Sequence, residues 1–286
     1  MTNSRGRKIG ADERSGVLRP QNLTRFSAQW LEPATDLRDV VDTYWAVQWK
    51  LDPGETVTQR IIDHPALTMS IEEGDVPAPF MMTAIRTKAW SREISGAGSV
   101  FAIRLRPAGI AVITDFQPSL LAPETEITLE VDTRAHRVLR EIGARSSVDD
   151  RVLQADNLIR EFLAERPLTR SQRLANSAVD ALVASPRVRT GREVAAELAV
   201  SERTLQRALR ETVGHGPNEI ARRIRLQEVV RRLSQPDTTI AGVAFDLNYV
   251  DQAHLTNEFR SVSGVTPGQY LAELSRARTE LVRPLG

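Results

Sequence analysis

Residues 190–217 read TGREVAAELAVSERTLQRALRETVGHGP, and residues 239–267 read TIAGVAFDLNYVDQAHLTNEFRSVSGVTP. The second stretch repeats the pattern of the first. The offset is 49 residues at Thr190/Thr239, Val194/Val243 and Leu198/Leu247. It is 50 at Leu205/Leu255, Leu209/Phe259, Gly214/Gly264 and Pro217/Pro267. One residue is therefore inserted in the second copy, between its two apolar runs, where a turn belongs. Each copy holds a short apolar-periodic run, a break, and a longer run ending in Gly-x-x-Pro. That is the layout of a helix-turn-helix unit.

In the first copy, Thr190 and Glu193 stand at capping-box spacing and start a short helix with Val194, Ala195 and Leu198 inward. Ala199 and Val200 make the turn, and Ser201 caps a second helix whose core side is Leu205, Leu209 and Val213. Its other face carries Glu202, Arg203, Gln206, Arg207 and Arg210. In the second copy, Thr239 starts a helix with Ile240, Val243, Ala244 and Leu247 inward; Asn248, Tyr249 and Val250 form the turn and Asp251 the cap. Leu255, Phe259 and Val262 face in, Gln252, Ala253, Thr256, Asn257 and Arg260 face out, and His254 stands near the boundary. Gln and Asn pair with adenine edges, Arg with guanine O6 and N7, and Thr or Ala with a thymine methyl. Arg210 and Arg260, at the far ends, suit phosphate, and the helix-starting Thr190 and Thr239 join them as candidate phosphate contacts. Residues 218–233 form one long helix with Ile220, Ile224, Leu226, Val229, Val230 and Leu233 apolar. It would set the spacing of two reading helices that enter successive major grooves about 34 Å apart.

The first half reads differently. Residues 43–51 alternate, with Trp45, Val47, Trp49 and Leu51 on one face and Tyr44, Gln48 and Lys50 on the other, before an Asp52-Pro53-Gly54 turn. Further strands are predicted over 57–63, 67–72, 80–87 and 100–106. Short antiparallel strands at this spacing predict a small barrel or sandwich, cupin-like in its barrel form. From residue 148 the period becomes helical: Val152, Leu153, Ile159, Phe162 and Leu163, closed by Pro167, then a helix over 172–184 with Leu174, Ala178, Ala181 and Leu182. The first of these helices is read as packing on its own domain rather than as a dimer contact. The predicted class is α+β: an arm without structure over 1–20, a β-rich sensor or regulatory domain over 21–147, a helical linker over 148–171, and an all-α DNA-binding domain over 172–286. The two helix-turn-helix units occupy 190–214 and 239–264.

Bulk properties narrow the function. The 286 residues allow two domains, each with its own core. No cysteine is present, which removes disulfides, thiolate metal sites and thiol catalysis. The polar, Arg-rich start resembles no signal peptide and no apolar run reaches bilayer length, so a cytoplasmic protein with no membrane partner is expected. Net charge is +1, but from residue 170 onward 17 Arg and no Lys face 13 acids, while Lys8, Lys50 and Lys88 all lie earlier. Arg suits bidentate contacts to phosphate and guanine, although a GC-rich genome produces the same bias. His64, His136, His215 and His254 are scattered with no ligand spacing, so neither metal nor cofactor is expected. Asp63 and His64 lack a nucleophile-elbow partner, and no catalytic residue is assigned. Trp45, Trp49, Trp90 and Phe101 read as core rather than ligand cage. Arg104 and Arg106 read as a salt-bridged face rather than an anion site.

Over residues 192–271 the chain resembles the AraC/XylS family of bacterial transcription regulators. VSERTLQRALRETVGHGPNEIARRIRLQEVVRRL and IAGVAFDLNYVDQAHLTNEFRSVSGVTPGQYL carry the likeness, with Ile240, Ala244, Asn248-Tyr249, Phe259 and Gly264-Val-Thr-Pro267 at signature-like spacing. The resemblance implies seven helices, two helix-turn-helix units and an asymmetric promoter site. It places base-reading positions on Arg203, Gln206 and Arg207 in the first unit, and on Gln252, Ala253, His254 and Thr256 in the second. Two departures stand out. The family often has Gly-Phe at 248–249, and Arg at 257 where this chain has Asn. Tyr44-Trp45, Ile62-Asp-His-Pro65 and residues 101–109 (FAIRLRPAG) also resemble the β-rich amino-terminal domain of a subset of these regulators. The expected function is transcription regulation through double-stranded promoter DNA, with the first domain sensing a small molecule or mediating dimerisation. RNA polymerase, a small-molecule effector and a second copy of the chain are the further partners such a protein could meet. The alternatives are a regulator without effector, whose first domain binds only protein partners, and an enzyme domain fused to a DNA-binding module.

Overall fold

The alternating run around Tyr44 becomes the longest strand of an antiparallel sheet. A computed structural model describes residues 6–8, 16–185 and 191–282. Among these residues the strands are β1 (Gly6–Lys8), β2 (Phe26–Leu31), β3 (Val41–Lys50), β4 (Thr56–Ile61), β5 (Thr68–Gly74), β6 (Phe80–Thr83), β7 (Trp90–Ser95), β8 (Ala97–Leu105) and β9 (Glu124–Glu126). Seven form one sheet in the order β1-β2-β3-β8-β5-β6-β9, and β4 pairs with β7 in a separate ribbon. The sheet is open, which corrects the barrel expectation. Closure needs tilted strands of matched length, whereas β1 and β9, at the two edges, have three residues each.

Tyr44 corrects the predicted face of β3. It is fully buried and stacks on Phe101 with ring centroids 5.9 Å apart, while Trp45 and Val47 are only half-buried. Its hydroxyl donates to Asp156 Oδ1 at 2.8 Å, which satisfies the polar tip inside the core. The leading segment is also partly built in, not a bare arm. β1 pairs with β2, Leu18 is 1% exposed, and Leu18 N donates to Arg60 O at 2.8 Å. The apolar pair Val17-Leu18 supplies the reason.

Helices follow: α1 (Ile110–Ile113), α2 (Thr133–Gly143), α3 (Val148–Glu165), α4 (Arg170–Ala184), α5 (Gly191–Glu197), α6 (Glu202–Val213), α7 (Pro217–Leu233), α8 (Ile240–Asp246), α9 (Gln252–Ser263) and α10 (Pro267–Val282). The seven from α4 to α10 match the number that the family resemblance implies. None of the described helices is long and apolar enough to cross a membrane. α2 buries Ala135, Val138, Leu139 and Ile142, and its final Gly143 lies against Ile71 and Phe80 of the sheet. α3 packs on its own sheet, where Asp156 also accepts from Ala34 N at 3.2 Å. Leu153, predicted inward, is instead 58% exposed, because the buried stripe runs through Val152, Ala155, Ile159 and Phe162. α4 is joined to the segments that lead into β3 and out of β8 by Asn176, which accepts from Ala108 N at 2.9 Å and donates to Asp39 O at 2.8 Å.

The two halves share their cores. One apolar cluster runs from Tyr44, Phe101 and Ile103 through α3 to α6 and ends on Ile220 and Ile224 of α7. A second gathers Leu18 and Ile62 with Leu226, Val229, Val230 and Leu233 of α7 and the apolar side of the second unit. Between them sits Arg223, 4% exposed. Its Nε donates to Asp63 O at 3.1 Å, Nη1 to Arg86 O at 2.8 Å and Nη2 to Lys88 O at 3.3 Å, and the Asp63 carboxylate pairs with it. Burial pushes the Arg223 pKa down to about 10, so it is still charged at neutral pH. Gln227, one turn on, donates to Ile62 O at 3.0 Å.

Removing one partner of a buried ion pair strands the other. Arg223→Ala is therefore expected to cost about 3 kcal/mol or more in a urea unfolding curve of the whole chain. Arg223→Lys, which keeps the charge but not the planar fork, should recover only part of it. A loss below about 1 kcal/mol for the alanine variant would remove Arg223 from the junction.

Candidate nucleic-acid interface

The two units are superimposable in their local chemistry. Thr190 lies outside the described residues, and α5 is described from Gly191, whose N–H donates to Asn218 Oδ1 at 3.3 Å. Both turns pass through a left-handed residue, Ala199 (φ 52°) and Asn248 (φ 58°). Asn tolerates that conformation better than Ala, so the departure at 248 is mild. Ser201 Oγ accepts from Thr204 N at 3.1 Å to cap α6, and Asp251 Oδ1 accepts from His254 N at 2.7 Å to cap α9. Both reading helices end on a left-handed glycine, Gly214 and Gly264, each at φ 77°.

On α6, Leu205, Ala208, Leu209, Thr212 and Val213 are buried, while Arg203, Gln206, Arg207 and Arg210 are all exposed. Arg207 has Glu211 4.0 Å away, and Glu202 pairs with Arg192 of α5 at 3.1 Å. Arg203 and Arg210 have no ion-pair partner among the described residues. On α9, Leu255, Glu258, Phe259 and Val262 are buried; Gln252, Ala253, His254, Asn257 and Arg260 are exposed and Thr256 is half-buried. His254 meets Tyr249 edge-on at 5.4 Å and stands 3.9 Å from Glu258, which fixes it at the edge of the face. Thr239 is exposed, but its hydroxyl oxygen is taken up as the cap of α8, accepting from Gly242 N at 3.0 Å.

The second unit is fastened to α7 by charges that the sequence reading did not single out. Glu258, 9% exposed, accepts from Arg222 Nε at 2.9 Å, and Arg232 Nη1 bonds Asp246 of α8 at 2.7 Å. The Arg225 guanidinium lies over the Tyr249 ring at 4.9 Å. Burial and the nearby Glu258 push the Tyr249 phenol up, so it stays neutral. The signal was available: Glu258 falls at i+3 from Leu255 on the apolar stripe, where an unpaired carboxylate would be costly.

The 118–120 turn, β4 and the segment before β7 touch the carboxy-terminal ends of the reading helices. A Cβ on Gly214 would stand 3.0 Å from Pro118 O, and one on Gly264 3.1 Å from the Arg60 guanidinium. Arg60 Nη1 donates to Ser263 O at 3.4 Å, Ala89 N to Val262 O at 2.8 Å, and Arg19 pairs with Glu273 of α10 at 3.0 Å. The opposite, amino-terminal ends carry the predicted readers and remain uncovered. Elsewhere Arg104 pairs with Asp42 and Arg106 binds Asp180 through two 2.7 Å bonds, so both are salt-bridged. Phe101 and Trp49 are core, and Trp49 Nε1 donates to Ser95 O at 3.1 Å. No group of three or more His, Asp or Glu among the described residues could hold a metal.

Comparison with known proteins agrees with this geometry. Residues 194–273 match the model of a helix-turn-helix domain, and 29–125 match a domain of unknown function, DUF6597. The chain is 35% identical over 78 residues to a protein of Streptomyces antibioticus described as an AraC-like transcription regulator. Over this domain the chain is similar to regulators of the AraC/XylS family. It is also 32% identical over 74 residues to the transcriptional activator RhaS of Pectobacterium atrosepticum. The first match takes in 27% of this chain and the second 26%, and each spans 26% of the relative. Among solved structures, ToxT of Vibrio cholerae aligns over 81% of this chain and 99% of its own, at 11% identity and a TM-score of 0.45. At that score the superposition is loose and decides neither fold nor function.

The two cap glycines make a paired test. Ala at either must hold a left-handed φ, costing about 1–2 kcal/mol. Gly214→Ala also presses on backbone, while Gly264→Ala meets a side chain that can move. Urea midpoints should fall for both and further for Gly214→Ala. An equal fall would show that the 118–120 turn is not seated against α6.

Proposed function

We propose that this chain is a sequence-specific, cytoplasmic, DNA-binding transcription regulator that reads an asymmetric operator with two unequal helices. One observation carries the reading: two equivalent helices, fixed on their buried sides to one connecting helix, leave their polar faces open to solvent. The match to regulators of the same domain type supports it. In this proposal Arg203, Gln206 and Arg207 read base edges from the first unit. Gln252, Ala253, His254, Thr256 and Asn257 form the reading face of the second. Arg210 and Arg260 hold phosphates, with Thr239, and Thr190 by analogy, at the helix starts.

The division into a regulatory part over 21–147, a helical link over 148–171 and a reading domain over 172–286 belongs to the same proposal. A small molecule or a second copy of the chain would act on the first part. It would change DNA affinity only through a difference in affinity for the competent and incompetent arrangements. The first unit, where Arg203 and Arg210 have no ion-pair partner among the described residues, supplies more of the electrostatic grip.

Arg207→Ala is expected to weaken binding to the chain's own promoter region by about 1–3 kcal/mol and relax preference at one base pair. Unchanged affinity and preference in a competition assay would remove Arg207 from the readers. Arg260→Ala should instead weaken all sequences alike and reduce the salt slope by about one. A loss confined to one base pair would contradict its phosphate role.

A further inference from the structure

The residue that distinguishes the two copies has a definite place. Val200 N donates to Ala195 O and Tyr249 N to Ala244 O, both at 2.9 Å, so the turns correspond at an offset of 49 through Tyr249. The caps Ser201 and Asp251 then correspond at 50. The inserted residue is therefore Val250, immediately before the cap of α9. It is 86% exposed, whereas its neighbours Tyr249 and Leu255 are buried at 6% and 0%. It contributes nothing to the core that a small polar residue would not.

We propose that Val250 is a further specificity-determining residue of the second unit, meeting a thymine methyl in the major groove. This rests on the DNA-binding reading above. The amino-terminal end of a reading helix is the end that approaches base edges, and Val250 stands just ahead of Gln252 and Ala253 at that end, exposed as they are. An isopropyl group neither donates nor accepts a hydrogen bond. The apolar group that a base pair displays in the major groove is the thymine C5 methyl. Phe245 is also exposed, at 81%, but it lies on α8, the first helix of the unit. That helix crosses the phosphate backbone rather than the bases. In the first unit Val200 is half-buried and followed directly by Ser201, so no counterpart exists there.

The test selects duplexes from a random pool with the wild-type chain and with Val250→Ser. The wild type should enrich a thymine beside the bases read by the second unit, and the variant should lose preference at that position alone. Deoxyuridine at that thymine removes only the methyl. It should weaken the wild type about threefold to fivefold, the worth of one buried methyl group, and leave the variant unaffected. Identical motifs from both proteins, or equal sensitivity to deoxyuridine, would overturn the assignment of Val250 while leaving the DNA reading standing. Failure of the wild type to enrich any motif would overturn both.

Discussion

A guanidinium buried to 4% needs acceptors in a plane around it, and among the described residues Arg223 finds them on the amino-terminal half. The Asp63 carbonyl comes from the loop after β4 and those of Arg86 and Lys88 from the loop before β7, and the Asp63 carboxylate is the ion-pair partner. Without these loops the charge on α7 would be buried and unsatisfied, at a cost of several kcal/mol. Without α7 the loops would face one another with open carbonyls. Each half thus requires the other at this point, and the apolar clusters on both sides of Arg223 make the same demand.

The consequence for DNA is geometric. α7 carries Ile220 and Ile224 toward the first unit, and Arg222, Arg225 and Arg232 toward the second. Two reading helices fixed to one rod cannot adjust their spacing independently. The contacts at Gly214 and Gly264 add a second restraint at the far end of each reading helix. The scaffold is duplicated down to matching left-handed turns and caps, yet the faces differ. The first presents three arginines; the second is largely neutral, with Asn257 in place of a cation and one inserted valine. Such a pair suits an operator whose halves are unlike.

Much of the carboxy-terminal half was legible in the sequence, because local signals there agree with the tertiary ones: caps at Ser201, Thr239 and Asp251, glycines at 214 and 264, and apolar residues at helical spacing. The strands were legible as segments but their closure was not, since nothing local states whether two edges meet. Tyr44 was misplaced because its hydroxyl was read as a surface group, and its buried partner Asp156 lies 112 residues away. α2 was missed although Asp132 caps it and Ala135, Val138, Leu139 and Ile142 keep helical spacing. Arg223 and Gln227 share the buried stripe of α7 with Ile220 and Ile224, at i, i+3, i+4 and i+7. Polar residues on that stripe marked a polar junction, but what they meet is far away in the chain.

The central claim is that the two readers are held at one fixed separation. Its most direct test is binding to an operator lengthened between its two halves. A fixed separation places both helices on one side of the duplex, about one turn apart. Insertion of about half a turn should then reduce affinity to that of the stronger half alone, and insertion of a full turn should not restore it. Undiminished binding to either lengthened operator would contradict the account.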